Sequence, residues 1–370
     1  MRSSSWWTPS AERRANPVGA SLRTSACCLL LLCSCGPEPA PDRLGTFAYA
    51  KARKVLVGNS LTDLHGAITA EDGEVEHALW SADGAFLLAT MRWSAVRLDE
   101  AGLVEVIGGL TCYGSSRLSN ARVEGDLLLY EDHGYEPVGS NGDRTTCSNV
   151  IDIPSGERLR SGRGIGGTSD GTRLFLACSQ SAVVKRAILL DLRTDEQLWQ
   201  AEFETCPVLS PGGVHIAFVR DGQFVVQPAD LSESLVRTLP GAREVLWSPA
   251  GNALLAQGDA LRLLDVEADR TLQVGDELWG ARWASSSSHF LAAELCDDGA
   301  QQTSRLRVFE YDGQVQQRWA TECGAWEQPD LSPDGSAILA TDGERVHWID
   351  ESGARVVDVG LSPRWRPAPR

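Results

Sequence analysis

Residues 331–359 read Leu-Ser-Pro-Asp-Gly-Ser-Ala-Ile-Leu-Ala-Thr-Asp-Gly-Glu-Arg-Val-His-Trp-Ile-Asp-Glu-Ser-Gly-Ala-Arg-Val-Val-Asp-Val. Ser332-Pro333-Asp334-Gly335 is turn chemistry, because proline fixes φ early in the turn and glycine takes a conformation that a side chain resists. Ala337–Ala340 is a short unbroken apolar run, the pattern of a strand buried on both faces. Arg345–Asp350 alternates in polarity, Glu351-Ser352-Gly353 supplies a hairpin, and Arg355–Val359 is one more strand. With the strand that leads into the turn, the unit is a four-stranded meander.

The unit recurs. Trp80-Ser81-Ala82-Asp83-Gly84, Ser169-Asp170-Gly171, Ser210-Pro211-Gly212-Gly213 and Trp247-Ser248-Pro249-Ala250-Gly251 each precede a similar apolar run, and degenerate copies lie at Leu118-Ser119 and Trp283-Ala284-Ser285. Neighbouring copies are 37 to 50 residues apart, close to the ~40–45 residue period of a propeller blade. One blade cannot bury both faces, whereas a closed ring of blades can, and closure removes most exposed strand edges. Trp80, Trp247 and Trp283 stand just before the turn, where a large ring would wedge between blades. The motif resembles the TolB-like, WD-type β-propeller repeat, with its Trp-Ser-Pro-Asp-Gly pattern, over roughly residues 75–360. That resemblance implies an all-β propeller and carries little about function, since such blades serve many roles. Seven four-stranded blades are expected from about 74 to 360. Eight is the alternative, with 46–72 as an incomplete blade completed by Leu361-Ser362-Pro363-Arg364-Trp365. The propeller is assigned to 45–366 and a tail to 367–370.

Residues 26–34, Ala-Cys-Cys-Leu-Leu-Leu-Leu-Cys-Ser, follow Arg23. The run has signal-peptide length and is too short to cross a bilayer. Leu32-Cys33-Ser34-Cys35 resembles the lipobox of bacterial lipoproteins. The resemblance implies a signal peptide over 1–34, cleavage before Cys35 and thioether lipidation of its thiol. Gly-Pro-Glu-Pro-Ala-Pro-Asp at 36–42 reads as an extended tether, assigned to 35–44. Gly36, rather than Asp, directly after the lipidated cysteine favours the outer membrane. The expected place is therefore the cell envelope, with membrane contact through the lipid anchor only.

The formal net charge of the 370 residues is −16, and removing 1–34 takes away four arginines and one glutamate to leave −19. That balance argues against nucleic acid and anionic membrane surfaces as ligands. Six cysteines follow Cys35, an even number in an exported chain. Cys178 and Cys296 each end a buried-strand run, and Cys206 and Cys323 each follow a Glu-Thr or Thr-Glu step at the start of the next unit. This shared phase predicts Cys178–Cys206 and Cys296–Cys323, with Cys112–Cys147 as the remaining pair. No Cys-x-x-Cys occurs outside the signal segment, so zinc and dithiol redox sites are not expected.

Six histidines (His65, His77, His133, His215, His289, His347) form no metal-binding spacing, and no Gly-x-Ser-x-Gly elbow occurs. Gly162–Gly167 is glycine-rich but fits neither phosphate-loop fingerprint. Glu131-Asp132-His133-Gly134-Tyr135-Glu136, with Asn141-Gly142-Asp143, reads as a lengthened loop whose Asp132, Glu136 and Asp143 are candidate Ca²⁺ ligands. Asp297-Asp298-Gly299 reads as a hairpin turn. No catalytic residue and no cofactor other than Ca²⁺ is assigned. The expectation is a monomeric, membrane-tethered scaffold binding an envelope protein or peptide. The alternatives are a glycan- or Ca²⁺-binding module, and a hydrolase or lyase with a site in the central funnel.

Overall fold

The computed structural model describes residues 47–367, apart from 61–62, 70–73, 82, 92–94, 100, 102–103, 108–116, 125–126, 136–143, 164, 169–173, 179–184, 233–236, 287 and 297–302. The described residues form eight four-stranded antiparallel sheets. Numbered by their first strands, blades 1 to 7 begin at Val75–Trp80, Arg117–Glu124, Ile165–Thr168, Val208–Leu209, Ala242–Trp247, Leu278–Trp283 and Glu327–Leu331. Blade 8 is built from both ends of the chain: Leu361–Trp365 pairs with Phe47–Lys51, followed outward by Lys54–Ser60 and Asp63–Thr69. First strands of neighbouring blades touch each other, blade 8 against both 7 and 1, while that of blade 3 meets the second and third strands of blade 2, which puts the first strands around the axis.

Eight blades therefore close the ring, not seven. The physical reason is the edge: without Leu361–Trp365, the backbone of Phe47–Ala50 lacks one ladder, and Phe47 and Tyr49, both fully buried, lose cover. Trp365 packs against Phe47 at 5.9 Å and against Trp348 of blade 7 at 4.8 Å, both edge-on.

The turn motif has a repeated structural cause. Ser81, Ser210, Ser248 and Ser332 are all buried, and each hydroxyl accepts from the backbone N–H five residues on, at 2.9–3.1 Å. The serine N–H donates to the carbonyl of that same residue at 2.8–3.0 Å. This closes a compact turn on the serine's own hydrogen bonds. Gly84, Gly251 and Gly335 hold φ of +70°, +74° and +73°, the left-handed region that a Cβ disfavours.

The wedging tryptophans repeat as well. Trp247 Nε1 donates to the Val208 carbonyl at 3.3 Å, Trp283 Nε1 to Leu246 at 3.2 Å, and Trp365 Nε1 to Asp330 at 3.1 Å. Each donor reaches the preceding blade, to the residue just before that blade's own turn-entering position. Trp80 is the exception: it is buried, but its Nε1 has no partner among the described residues. There Arg366 instead lies over the Trp80 ring at 5.7 Å and donates to the Gly84 carbonyl at 2.8 Å.

In blade 2, Leu118 and Ser119 lie inside the first strand, Arg117–Glu124, rather than at its turn. Glu131–Tyr135 is not a loop either: it completes the nine-residue strand Leu127–Tyr135, paired with Arg144–Asp152. The first three strands of blade 2 are eight, nine and nine residues long. Of the glycine-rich stretch, Gly162 lies in the outer strand Arg158–Arg163 of blade 2, and Gly166 and Gly167 are in the first strand of blade 3.

Candidate functional site

Alternating strand direction puts two kinds of connection on one face of the ring: second-to-third strand within a blade, and blade to blade. Both described disulfides lie there. Cys178–Cys206 ties the end of the second strand of blade 3 to the link into blade 4, with Cα atoms 5.7 Å apart. Cys296–Cys323 does the same between blades 6 and 7, at 6.2 Å. Cys112 lies outside the described residues. On the same face, Asp342 accepts from the backbone of Arg345 at 2.8 Å and from His347 Nε2 at 2.9 Å. The Arg345 N–H first, then His347, bring the Asp342 carboxyl down to about 2. Asp132 sits within a strand, opposite Cys147. Glu136 and Asp143 lie outside the described residues, as do Cys35 and Asp297-Asp298-Gly299.

The central channel carries the stronger constellation. At the residue before the turn-entering position, blades 4 and 5 place Val208 and Leu246, each 39% exposed, and blade 1 places Leu79. Blades 6, 7 and 8 place Arg282, Asp330 and Arg364 at that same register. Among the described residues the wall is thus charged at blades 6 to 8 and apolar at blades 4 and 5, with Leu79 buried in the core. Arg282 feels repulsion from Arg364 and attraction from Asp330 and from Glu244 of blade 5, so four consecutive blades supply interacting charges of alternating sign. None of the described side chains makes a direct ion pair with Asp330. Its Oδ2 accepts from the Trp365 N–H at 2.7 Å.

Burial is the largest influence on both Asp330 and Arg282. It pushes the Asp330 carboxyl above its ordinary range, against Arg364, the Trp365 N–H and Arg282. It pulls the Arg282 guanidinium down, with Arg364 adding to the effect. Arg282 is nevertheless exposed: water reaches it, but the ring walls keep bulk solvent from surrounding it. Beside these charges runs a polar chain across blades 7, 8 and 1. The Ser362 N–H donates to Gln328 Oε1 at 3.1 Å, the Ser362 hydroxyl contacts the same atom at 3.2 Å, and His77 Nδ1 lies 3.4 Å from that hydroxyl.

A carboxyl whose pKa is raised on folding favours the folded state below its unfolded value and loses that benefit as pH rises through the folded value. At neutral pH the raised carboxyl of Asp330 is therefore a cost to stability. Asp330→Asn is expected to raise the melting temperature at pH 7, with the gain shrinking as pH falls toward 4. A lower melting temperature at pH 7 would show that the flanking arginines outweigh burial.

These channel residues are not among the sequence candidates. The signal was available in the alignment of repeats, where Arg282, Asp330 and Arg364 replace the Leu79 and Leu246 of other blades.

Fold and site together define an eight-bladed β-propeller closed by its two termini, with a half-charged channel. No family model matches the chain, and no curated protein matches it. Among solved structures, the crystal structure of a eukaryotic initiation factor is similar at 14% identity with a TM-score of 0.59, over 88% of this chain and 99% of that one; this is a likeness of fold alone. The β-propeller domain of the Trilobed protease from Pyrococcus furiosus aligns at 11% identity and a TM-score of 0.48, over 67% and 84% of the two chains. TolB from Acinetobacter baumannii aligns at 11% identity and a TM-score of 0.40, over 87% and 67%.

Proposed function

We propose that this chain is a lipid-anchored scaffold of the cell envelope whose channel holds an extended segment of a partner protein. The observation that carries the reading is the divided channel wall. Glu244, Arg282, Asp330 and Arg364 offer alternating charge to backbone amides and charged side chains. Val208 and Leu246 offer an apolar surface to the segment's other side. An extended peptide presents both characters on opposite edges. Asp330 supports a functional role because its ionised form opposes folding yet occupies the channel wall. The two disulfides support an oxidising compartment, and Leu32–Cys35 supports lipidation at Cys35, with the outer membrane as the favoured site.

A second reading rests on one observation. A carboxyl raised by burial is what acid catalysis uses, so Asp330 is also the residue on which a hydrolase or lyase site in the funnel would turn.

Site-specific photo-crosslinking tests the scaffold. A crosslinker at Leu246, on the channel wall, is expected to trap a discrete protein adduct in intact cells. One at Leu198, which is exposed on an outer strand, is expected not to. Asp330→Asn should weaken the Leu246 adduct, and Cys35→Ala should move the protein from the membrane to the soluble fraction. Equal adducts at both positions, or none at Leu246, would remove the channel reading. Membrane retention of Cys35→Ala would remove the anchor.

A further inference from the structure

We propose that a cleft between blades 5 and 6, separate from the channel and independent of the scaffold reading, binds a single neutral hexose ring. The cleft measures about 280 Å³ and lies between the outer strand of blade 5, Arg270–Asp276, and the strands of blade 6.

Its polar groups are held in place before any ligand arrives. On one wall, Gln273 Nε2 donates to Asp276 Oδ1 at 3.0 Å. On the other, Arg307 grips Glu294 with two hydrogen bonds, at 2.5 and 3.0 Å, and donates from Nη1 to Gln317 Oε1 at 2.9 Å. What these bonds leave unused decides the ligand. Asp276 Oδ2 and Gln273 Oε1 remain as acceptors on the first wall. Gln317 Nε2 and the remaining guanidinium N–H groups of Arg307 stay as donors on the second.

A sugar hydroxyl donates and accepts at once, so vicinal hydroxyls spanning the cleft satisfy both walls together. Val315 and the rim of the buried Phe309 line the same cleft and give it a small apolar edge against the C–H groups of a pyranose. Charge disfavours an anion: Arg307 and Glu294 offset each other, and Asp276 repels further negative charge. The volume falls just under the roughly 300–1,000 Å³ of sites for drug-sized ligands, which restricts the occupant to one ring. Polar groups already paired with each other lose less freedom on binding than unpaired ones, which favours recognition of a small polar ligand.

The test is saturation-transfer NMR on the full chain with glucose, galactose, mannose and N-acetylglucosamine, followed by titration of whichever responds. Gln273 and Gln317 are exposed on outer strands, so Gln273→Ala and Gln317→Ala should keep the wild-type circular dichroism spectrum. Each is expected to weaken binding about tenfold, the loss of one hydrogen bond to ligand. Asp330→Asn should bind as wild type does, which separates this site from the channel. No saturable signal from any of the four sugars, or wild-type affinity in both alanine variants, would overturn the proposal.

Discussion

Deleting residues 361–370 is expected to abolish cooperative unfolding, because it removes the strand that joins the two ends of the chain. Leu361, Arg364 and Trp365 pair with Ala50, Ala48 and Phe47. Without them, blade 8 keeps three strands and presents an unpaired edge toward the axis. The cluster of Phe47, Trp348 and Trp365 loses one of its three mutually packed rings. Trp365 also donates twice to Asp330 of blade 7, from its backbone N–H and from its indole. Those contacts between blades 7 and 8 go too. Trp365→Ala isolates the side-chain part and is expected to cost about 3 kcal/mol, the low end for a large aromatic because the ring is partly exposed. Against a total stability of about 5–15 kcal/mol, the deletion should leave no single transition in urea, while the point variant keeps one at lower denaturant. A deleted chain that unfolds like the intact one would mean that the ring does not depend on this strand.

The second large effect concerns the disulfides. They close loops with sequence separations of 28 and 27 residues. In the chain-entropy view, each contributes about 3–4 kcal/mol by limiting the unfolded chain. They sit at different blade junctions and share no residues, so their effects should add. Replacing Cys178 and Cys206 by serine, or Cys296 and Cys323, should each lower the urea-unfolding free energy by that amount. Replacing all four should bring the fold to the margin of stability. A four-serine variant within about 1 kcal/mol of wild type, half the least that removal of a native disulfide costs, would show that the bridges are incidental to folding.

Both pairings were legible before any coordinates because the repeat supplies its own ruler. Cys178 and Cys296 occupy one phase of the blade, and Cys206 and Cys323 another. The turn serines were legible for a similar reason: a buried hydroxyl that closes a turn leaves little choice of residue, so Ser-Pro-x-Gly survives from blade to blade. Blade 2 resisted this logic. Its Leu118-Ser119 imitates the motif inside a strand, and Glu131–Tyr135 is polar enough to pass for a loop while pairing as a strand. Tertiary pairing overrode local preference there. The blade count hinged on whether segments some three hundred residues apart meet, which no local pattern reports. The channel charges hinged on it too. Arg282, Asp330 and Arg364 are unremarkable in sequence and become a constellation only when ring closure brings blades 6, 7 and 8 side by side on the axis.

The arrangement of blade 8 also governs how the ring responds to mechanical load. The chain enters it at Phe47, on a strand paired along both edges: Phe47–Lys51 matches 54–58 on one side and 361–365 on the other. A pull applied to the chain ahead of Phe47 is therefore resisted by two ladders at once. A strand on the rim would peel away one hydrogen bond at a time. Here neither neighbour can be released without disturbing the other, and the inner one is itself clamped to blade 7 through Trp365. The terminal strand thus behaves as an embedded anchor bolt, and rupture force, rather than equilibrium stability, is the quantity most sensitive to it.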